Sequence, residues 1–330
     1  MVKGLVKNAL IGSGALRWLA RRRGKSVAIL MYHSVLEEPT RVTDSLGGIA
    51  LSTQAFQSQM EVLAREFHPI DIEQAGRFVR EEGELPERAV VVTFDDGYTD
   101  NYEVAMPILN RVGVPATFYV TVDCVERRSL PWPSRLRFAF RTTGKKMWLD
   151  EVGKSWSLSS VEDREKTYLS ACDQFCKLAG PTLEAEVGRA ENELEAKLPD
   201  TTGRLMMTWE QVKALEKNGH IVGSHTMTHP NLAFLKLEDL RNELNTSKQT
   251  MEKHLGTSIG HFSYPCPALF PNWTQQTTEE SKRAGYRTAV TTNDGVVRKS
   301  DNPLELKRVR PTRTADGLRW NLESSFAGAV

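Results

Sequence analysis

The run Ala89 to Phe94 (AVVVTF) is continuous, apolar and β-branched, and it stops abruptly at Asp95, Asp96 and Gly97. A strand without polar alternation has both faces covered, the condition of a parallel sheet enclosed by helices. In such sheets ligands bind beyond the carboxyl ends of the strands. The two adjacent acids therefore stand where a metal ion or a proton would be handled. Asp and Gly are also common turn residues, and a solvated turn is the plainer reading of the same three residues.

The rest of the chain supplies the partners that such a strand needs. Val27 to Tyr32 (VAILMY) reads as a second buried strand and delivers His33 and Ser34 at its end. Thr53 to Phe67 has helical spacing, with Phe56, Met60, Leu63 and Ala64 on one face and Ser52 or Thr53 as cap. Asp71 to Glu82 suggests another helix. Tyr102 to Val112 reads as a helix closed by Gly113, and Pro115 to Val122 as a strand. Strand alternating with helix implies a parallel sheet.

The alternation breaks after Glu126. No clean strand appears up to Arg204, and Val161 to Leu198 is rich in Glu, Lys, Ala and Leu at helical spacing, which predicts a mainly helical insertion over about residues 126–205. Cys172 and Cys176, one helical turn apart, are spaced as two metal ligands could be, and equally as two small apolar residues on a buried face. Alternation resumes at Thr208, where Thr208-Trp209-Glu210-Gln211 has the form of a capping box. That helix is closed by Gly219 and leads to a strand at His220 to Val222. A helix at Glu238 to Leu255, a strand at Gly260 to Tyr264, a helix at Thr274 to Ala284 and a strand at Tyr286 to Val290 follow. With the stretch up to Val309 this makes seven or eight strand candidates, and the pattern fits an α/β fold. A (β/α) barrel of about seven strands, distorted or incomplete, fits better than an open sheet.

Composition narrows the function classes. With a net charge of +1, 40% hydrophobic and 26% charged residues, the bulk carries no nucleic-acid footprint. None of the four cysteines forms a Cys-x-x-Cys pair, which argues against a structural zinc knuckle. Met1 to Lys25 holds seven Lys and Arg and no acid, interleaved with apolar residues. It is too short and too charged to span a bilayer, and resembles a basic amphipathic helix more than a secretory signal. Peripheral association with an anionic membrane, on the cytoplasmic side, and a terminus frayed or packed on the protein are the two readings of this segment.

The sharpest chemical pattern is His225-Thr-Met-Thr-His229. A His-x-x-x-His spacing places two imidazoles on one side of a helical turn, where both reach one divalent cation. Two histidines and one aspartate form a facial set that leaves positions open for water and substrate. His33, Asp95, Asp96, His225 and His229 all follow strand candidates, so the barrel reading sends them to one crevice.

Thr93 to Tyr98 (TFDDGY) together with Ser224 to His229 (SHTMTH) resembles the first two motifs of the polysaccharide deacetylases of carbohydrate esterase family 4, the NodB homology domain. Tyr32-His33 ahead of the Asp-Asp motif is similar to the permuted branch that includes the poly-N-acetylglucosamine deacetylases. The resemblance covers about Val27 to Pro311 apart from the insertion. It implies a deacetylase domain over residues 26–330, preceded by the basic segment 1–25. The implied activity is metal-dependent removal of an N-acetyl group from an N-acetylhexosamine polysaccharide or oligosaccharide. It further implies Asp96, His225 and His229 as metal ligands, Asp95 as general base and His33 as general acid. Zinc is the default ion for that set, with cobalt or nickel able to take the same ligands.

Departures from the family pattern leave two tasks open. Family members commonly carry an Arg-x-Pro-Tyr stretch, whose arginine holds the base aspartate and whose tyrosine offers a backbone N–H to the oxyanion. Here the stretch is Ser263-Tyr264-Pro265-Cys266. A backbone donor survives any side chain, so the Cys266 N–H takes the second task. For the first, Arg308 and Arg310 are the candidates, against a plainer reading as a solvent-facing basic pair. Deacylation of a small or lipid-linked amino sugar, and an inactive carbohydrate-binding relative, are the competing functions.

Overall fold

The structure is a computed structural model that describes residues 12–37 and 48–329. Seven strands run parallel in chain order: β1 (Ser26–Tyr32), β2 (Ala89–Phe94), β3 (Ala116–Val120), β4 (Ile221–Ser224), β5 (His261–Ser263), β6 (Thr288–Asp294) and β7 (Leu306–Arg308). Two two-residue strands complete the sheet, Val297–Arg298 antiparallel on β1 and His68–Pro69 parallel on β2. The ring closes just past β7, where the Val309 N–H donates to Ile29 O (2.7 Å) and the Met31 N–H to Val309 O (3.3 Å). This is the expected (β/α) barrel, distorted at its seam.

Side chains alternate across a strand with a period of two, and this decides what reaches the barrel interior. Val90, Val92 and Phe94 of β2 join the outer cluster, which includes Phe56, Met60 and Leu63 of the helix Thr53–Glu66. Ala89 and Val91 join an inner cluster with Val27, Ile29, Tyr119, Val290 and Leu306. Continuing that alternation, Thr93 and then Asp95 face the inside of the barrel. Near the strand starts, the helix Ile72–Val79 adds Ile72, Phe78 and Val79 to the inner cluster. Gly223 on β4 is required by close approach, because a Cβ there would meet the Tyr119 ring at 2.6 Å and His261 O at 2.8 Å.

The helix Thr53–Glu66 is capped by Ser52, whose hydroxyl accepts from the Ala55 N–H. Ala64 turns outward, contrary to the expected face. Gln59 is buried in its place, accepting from Tyr32 OH (2.7 Å) and donating to Thr312 O (2.6 Å). Its bonds satisfy a polar group that spacing alone assigns to solvent.

The segment between β3 and β4 holds the helices Trp132–Thr142, Val161–Phe175 and Gly180–Glu193 around an apolar cluster of their own. Cys172 and Cys176 are buried in that cluster, where burial pushes the Cys176 thiol up to about 12. They are packing residues. The expectation of no strand here is wrong, because Met147–Leu149 and Ser155–Ser157 form a hairpin that pairs Trp148 with Trp156. The turn between them is tied by Asp150, whose Oδ1 accepts from the Val152 and Lys154 N–H groups. Three-residue strands are below what alternation can reveal.

Of the basic N-terminal segment, residues 1–11 lie outside the described residues. The described part forms the helix Ala15–Arg22, packed against the C-terminal helix Ala315–Ala327. Arg17 pairs with Glu323 (3.3 Å), Arg21 with Glu87 (3.3 Å) and Lys25 with Glu84 (3.0 Å), so these charges turn to acids of the protein itself. Among the described residues no helix is long and apolar enough to cross a membrane.

Candidate active site

At the carboxyl end of β2 the chain turns sharply, with φ of 77° at Asp96 and 92° at Gly97. A left-handed aspartate is uncommon and marks a constrained position. A side chain at residue 97 would also press on Val120 Cγ1 at 3.3 Å. This turn sends the carboxylates of two adjacent residues to different partners.

Asp96 meets the two histidines. Its Oδ1 lies 3.5 Å from His225 Nε2 and 3.4 Å from His229 Nε2. These separations are long for hydrogen bonds, and Asp96 Oδ1 is buried with no hydrogen-bond partner. The ligand atoms of the three residues all lie within 4.8 Å of one another, and all three residues are buried. Two ligands that share a cation at ~2.0–2.1 Å stand about 3–3.4 Å apart, so the gap fits an ion such as zinc. The His225 Nδ1 is 2.8 Å from Ser263 O; only an N–H can donate there, which leaves the Nε2 lone pair facing Asp96. Burial opposes ionisation of Asp96, but the two imidazoles beside it win and hold its carboxyl well below the usual range. His225 is likewise resisted by burial, yet the Asp95 and Asp96 carboxylates raise its pKa. Both shifts describe a pocket that attracts positive charge.

The histidines do not sit on a helical turn, as the spacing predicts. Residues 225–231 form a loop in which Thr226 (φ 69°) and His229 (φ 62°) are left-handed. Its hydrogen bonds come from Glu243 on the helix Leu237–Leu255, which accepts from the N–H groups of Met227 (2.8 Å) and Thr228 (2.9 Å) and from the Thr228 hydroxyl. Trp132 Nε1 donates to His229 O (2.9 Å) from the other side. Replacing Glu243 by alanine takes the acceptor from the N–H groups of the half-buried Met227 and Thr228, at about 1–2 kcal/mol each. The expected result is a protein roughly 2–4 kcal/mol less stable in denaturant unfolding; an unchanged midpoint would contradict the role.

Asp95 belongs to Arg308. Nη1 of the guanidinium lies 2.9 Å from Asp95 Oδ1 and Nη2 lies 2.8 Å from Oδ2, a two-point grip. Arg308 is itself 1% exposed, and its remaining donors reach Thr291 O (2.7 Å), Ser263 Oγ (3.3 Å) and Thr93 Oγ1 (3.4 Å). Burial alone would raise the Asp95 pKa, but Arg308 leads the charges that hold it below the usual range. Arg310 is corrected as a candidate for this task. Two residues further along, it is exposed on the cleft wall and 3.8 Å from Asp294 Oδ1, while Arg308 holds both Asp95 oxygens.

His33 Nε2 is 3.9 Å from Asp95 Oδ2, the oxygen that Arg308 Nη2 also holds. Burial lowers its pKa, opposed by the Asp96 and Asp95 charges. Its backbone is fixed by residues that the motif search passed over. Asn101 Nδ2 donates to His33 O (2.6 Å), and Asp100 accepts from the Ser34 hydroxyl (2.5 Å) and the Val35 N–H (3.0 Å). Both directly follow the TFDDGYT run, so their sequence position was the available signal.

Cys266 is half-buried on the wall of the same cleft, a space of about 420 Å³ that His33, Asp95, Asp96, His225 and His229 also line. Burial raises its thiol pKa. Proline on either side, at 265 and 267, leaves its N–H as the backbone donor of that stretch. The arrangement therefore combines a candidate cation site, an arginine-held carboxylate and an imidazole around one opening.

Comparison with known proteins agrees with this geometry. The chain is 21% identical over 294 residues to the protein YxkH of Bacillus subtilis (strain 168), covering 89% of this chain and 74% of that one. In fold it is similar to the Streptococcus pyogenes deacetylase PplD, solved in complex with acetate (TM-score 0.61, 19% identity, 90% of this chain and 98% of that chain). It is also similar to IcaB from Ammonifex degensii (TM-score 0.59, 21% identity, 91% and 97%). The family profile described as polysaccharide deacetylase matches residues 82–160 and 176–289, more than half of the chain, and the protein belongs to that family.

Proposed function

We propose that this protein is a divalent-metal-dependent hydrolase that removes N-acetyl groups from an N-acetylhexosamine glycan. The observation that carries this reading is the convergence of Asp96, His225 and His229 beside an Asp95 gripped by Arg308. Asp96, His225 and His229 would hold the ion, with zinc the first choice and cobalt or nickel able to replace it. A bound divalent ion would act as a Lewis acid, easing ionisation of water and polarising the acetyl carbonyl.

The remaining work falls to the chain. Asp95 accepts the proton of the attacking water, and Arg308 keeps it ionised and aimed. The Cys266 N–H donates to the oxygen on which charge develops. His33, beside Asp95, gives a proton to the departing sugar nitrogen. The deacetylase unit spans residues 26–330, and the helical insertion provides one wall of its cleft through Pro133, Ser134, Arg137 and Tyr168. That PplD was solved with acetate, the acid such a reaction releases, supports the assignment.

The test is acetate release from polymeric, oligomeric and polyprenyl-linked N-acetyl sugars by the metal-reconstituted protein. We expect release from at least one glycan class, loss of activity on chelation and recovery on adding back zinc. Release from the polyprenyl-linked sugars alone would favour the small or lipid-linked alternative. Protein that never takes up a divalent ion, or that releases no acetate after reconstitution, would overturn the reading.

A further inference from the structure

We propose that Phe270 is a stacking platform for the sugar next to the one being deacetylated, which makes the substrate an oligomeric or polymeric glycan rather than a single amino sugar. The proposal rests on the N-deacetylase reading and deepens it. Phe270 lines the same cleft as Asp96, His225 and His229, yet it is 70% exposed where those three are at most 8% exposed. It therefore stands at the rim while they form the floor.

A lone exposed aromatic is ordinary on a protein surface. What distinguishes this one is the backbone that presents it. Asn231 is fully buried, and its side-chain amide reaches Ala268 O (2.8 Å), Leu269 O (3.2 Å) and Pro271 O (3.2 Å). Its own N–H donates to Cys176 O (3.0 Å), so the loop is tied to the insertion and to the segment that carries His229 two residues earlier. Leu269 is left-handed (φ 58°), a conformation that a leucine holds only where its surroundings impose it. Ala268 and Leu269 pack against the apolar cluster of the insertion. Phe270, next in line, is exposed at the cleft instead.

An exposed ring on a tied loop suits a pyranose. The C–H face of the sugar covers the ring while its hydroxyl groups stay hydrated, and aromatic contacts of this sort have a definite geometry. With the acetamido group at the floor, the sugar that bears it fills the centre of the cleft. A ring at the rim then meets the neighbouring residue of the glycan. A one-sugar substrate would leave Phe270 without a role.

The experiment measures both binding, by titration calorimetry, and acetate release, with N-acetylglucosamine oligosaccharides of one to five units and the metal-loaded protein. Wild-type affinity and kcat/KM should rise with chain length. In Phe270→Ala the deficit should widen with length, reaching about tenfold on the longest oligosaccharides, and Phe270→Trp should recover most of it. A Phe270→Ala protein that keeps the wild-type length dependence would overturn the platform, as would wild-type protein that binds all lengths equally or not at all. Phe270-dependent binding of oligosaccharides without any acetate release would uphold the platform and overturn the deacetylase reading instead.

Discussion

Asp95→Asn is expected to keep stoichiometric divalent-ion binding and lose about 10²- to 10⁴-fold in kcat/KM, whereas Asp96→Asn is expected to lose the ion. The two carboxylates are sequence neighbours but face different partners. Asp96 Oδ1 points at two imidazole nitrogens and has no hydrogen bond of its own, and an amide in that place is a poorer ligand. Asp95 gives both oxygens to Arg308, so its neutral replacement touches proton transfer and leaves the ligand set intact. Because Asp95→Asn also leaves the buried Arg308 charge without its counter-ion, thermal unfolding has to accompany the kinetics. His33→Ala belongs to the same series. It should retain the ion and lose the fall in activity at high pH, since an acid that works in its protonated form stops working as pH rises through its pKa. If the asparagine at 95 loses the ion and the one at 96 keeps it, the two roles are reversed.

The parts that the sequence made legible share a physical cause. The β2 run is apolar at every position but Thr93 because both of its faces are covered, so Ala89 to Phe94 reads as a strand without reference to its partners. The Thr208 and Gln211 capping box is a purely local signal, and both of its bonds form. Local signals are silent about contacts between distant elements. The approach of His225 and His229 looks helical in spacing, yet the loop is held by Glu243, 14 residues beyond His229 on a helix where it passes for a surface acid. Arg308 and Arg310 are indistinguishable as residues. Alternation along β7 would put both on the buried face with Leu306; they part because the strand ends at Arg308, and Arg310, just past it, is exposed.

Arg308→Ala should then be the most damaging single change outside Asp96, His225 and His229. It strips a carboxylate that is 2% exposed of its bidentate partner and leaves a void where a fully buried side chain stood. Breaking a buried pair from one side costs about 3–5 kcal/mol, a large fraction of the ~5–15 kcal/mol by which a typical domain is stable. Catalysis should fall as well, because burial would then favour the protonated form of Asp95, and a protonated carboxyl cannot accept a proton. Arg308→Lys should recover part of the stability and less of the activity, since an ammonium offers one point of contact where the guanidinium offers two. The resemblance suggests a more demanding control. Ser263 occupies the position of the family motif's arginine, and its hydroxyl already lies 3.3 Å from Arg308 Nη2, so the two positions serve one space. Adding Ser263→Arg to Arg308→Ala would bring a guanidinium to Asp95 from the end of β5 instead of β7. Partial recovery of kcat/KM over the single Arg308→Ala variant is the expected result. Wild-type stability and turnover in Arg308→Ala itself would show that Asp95 needs no arginine.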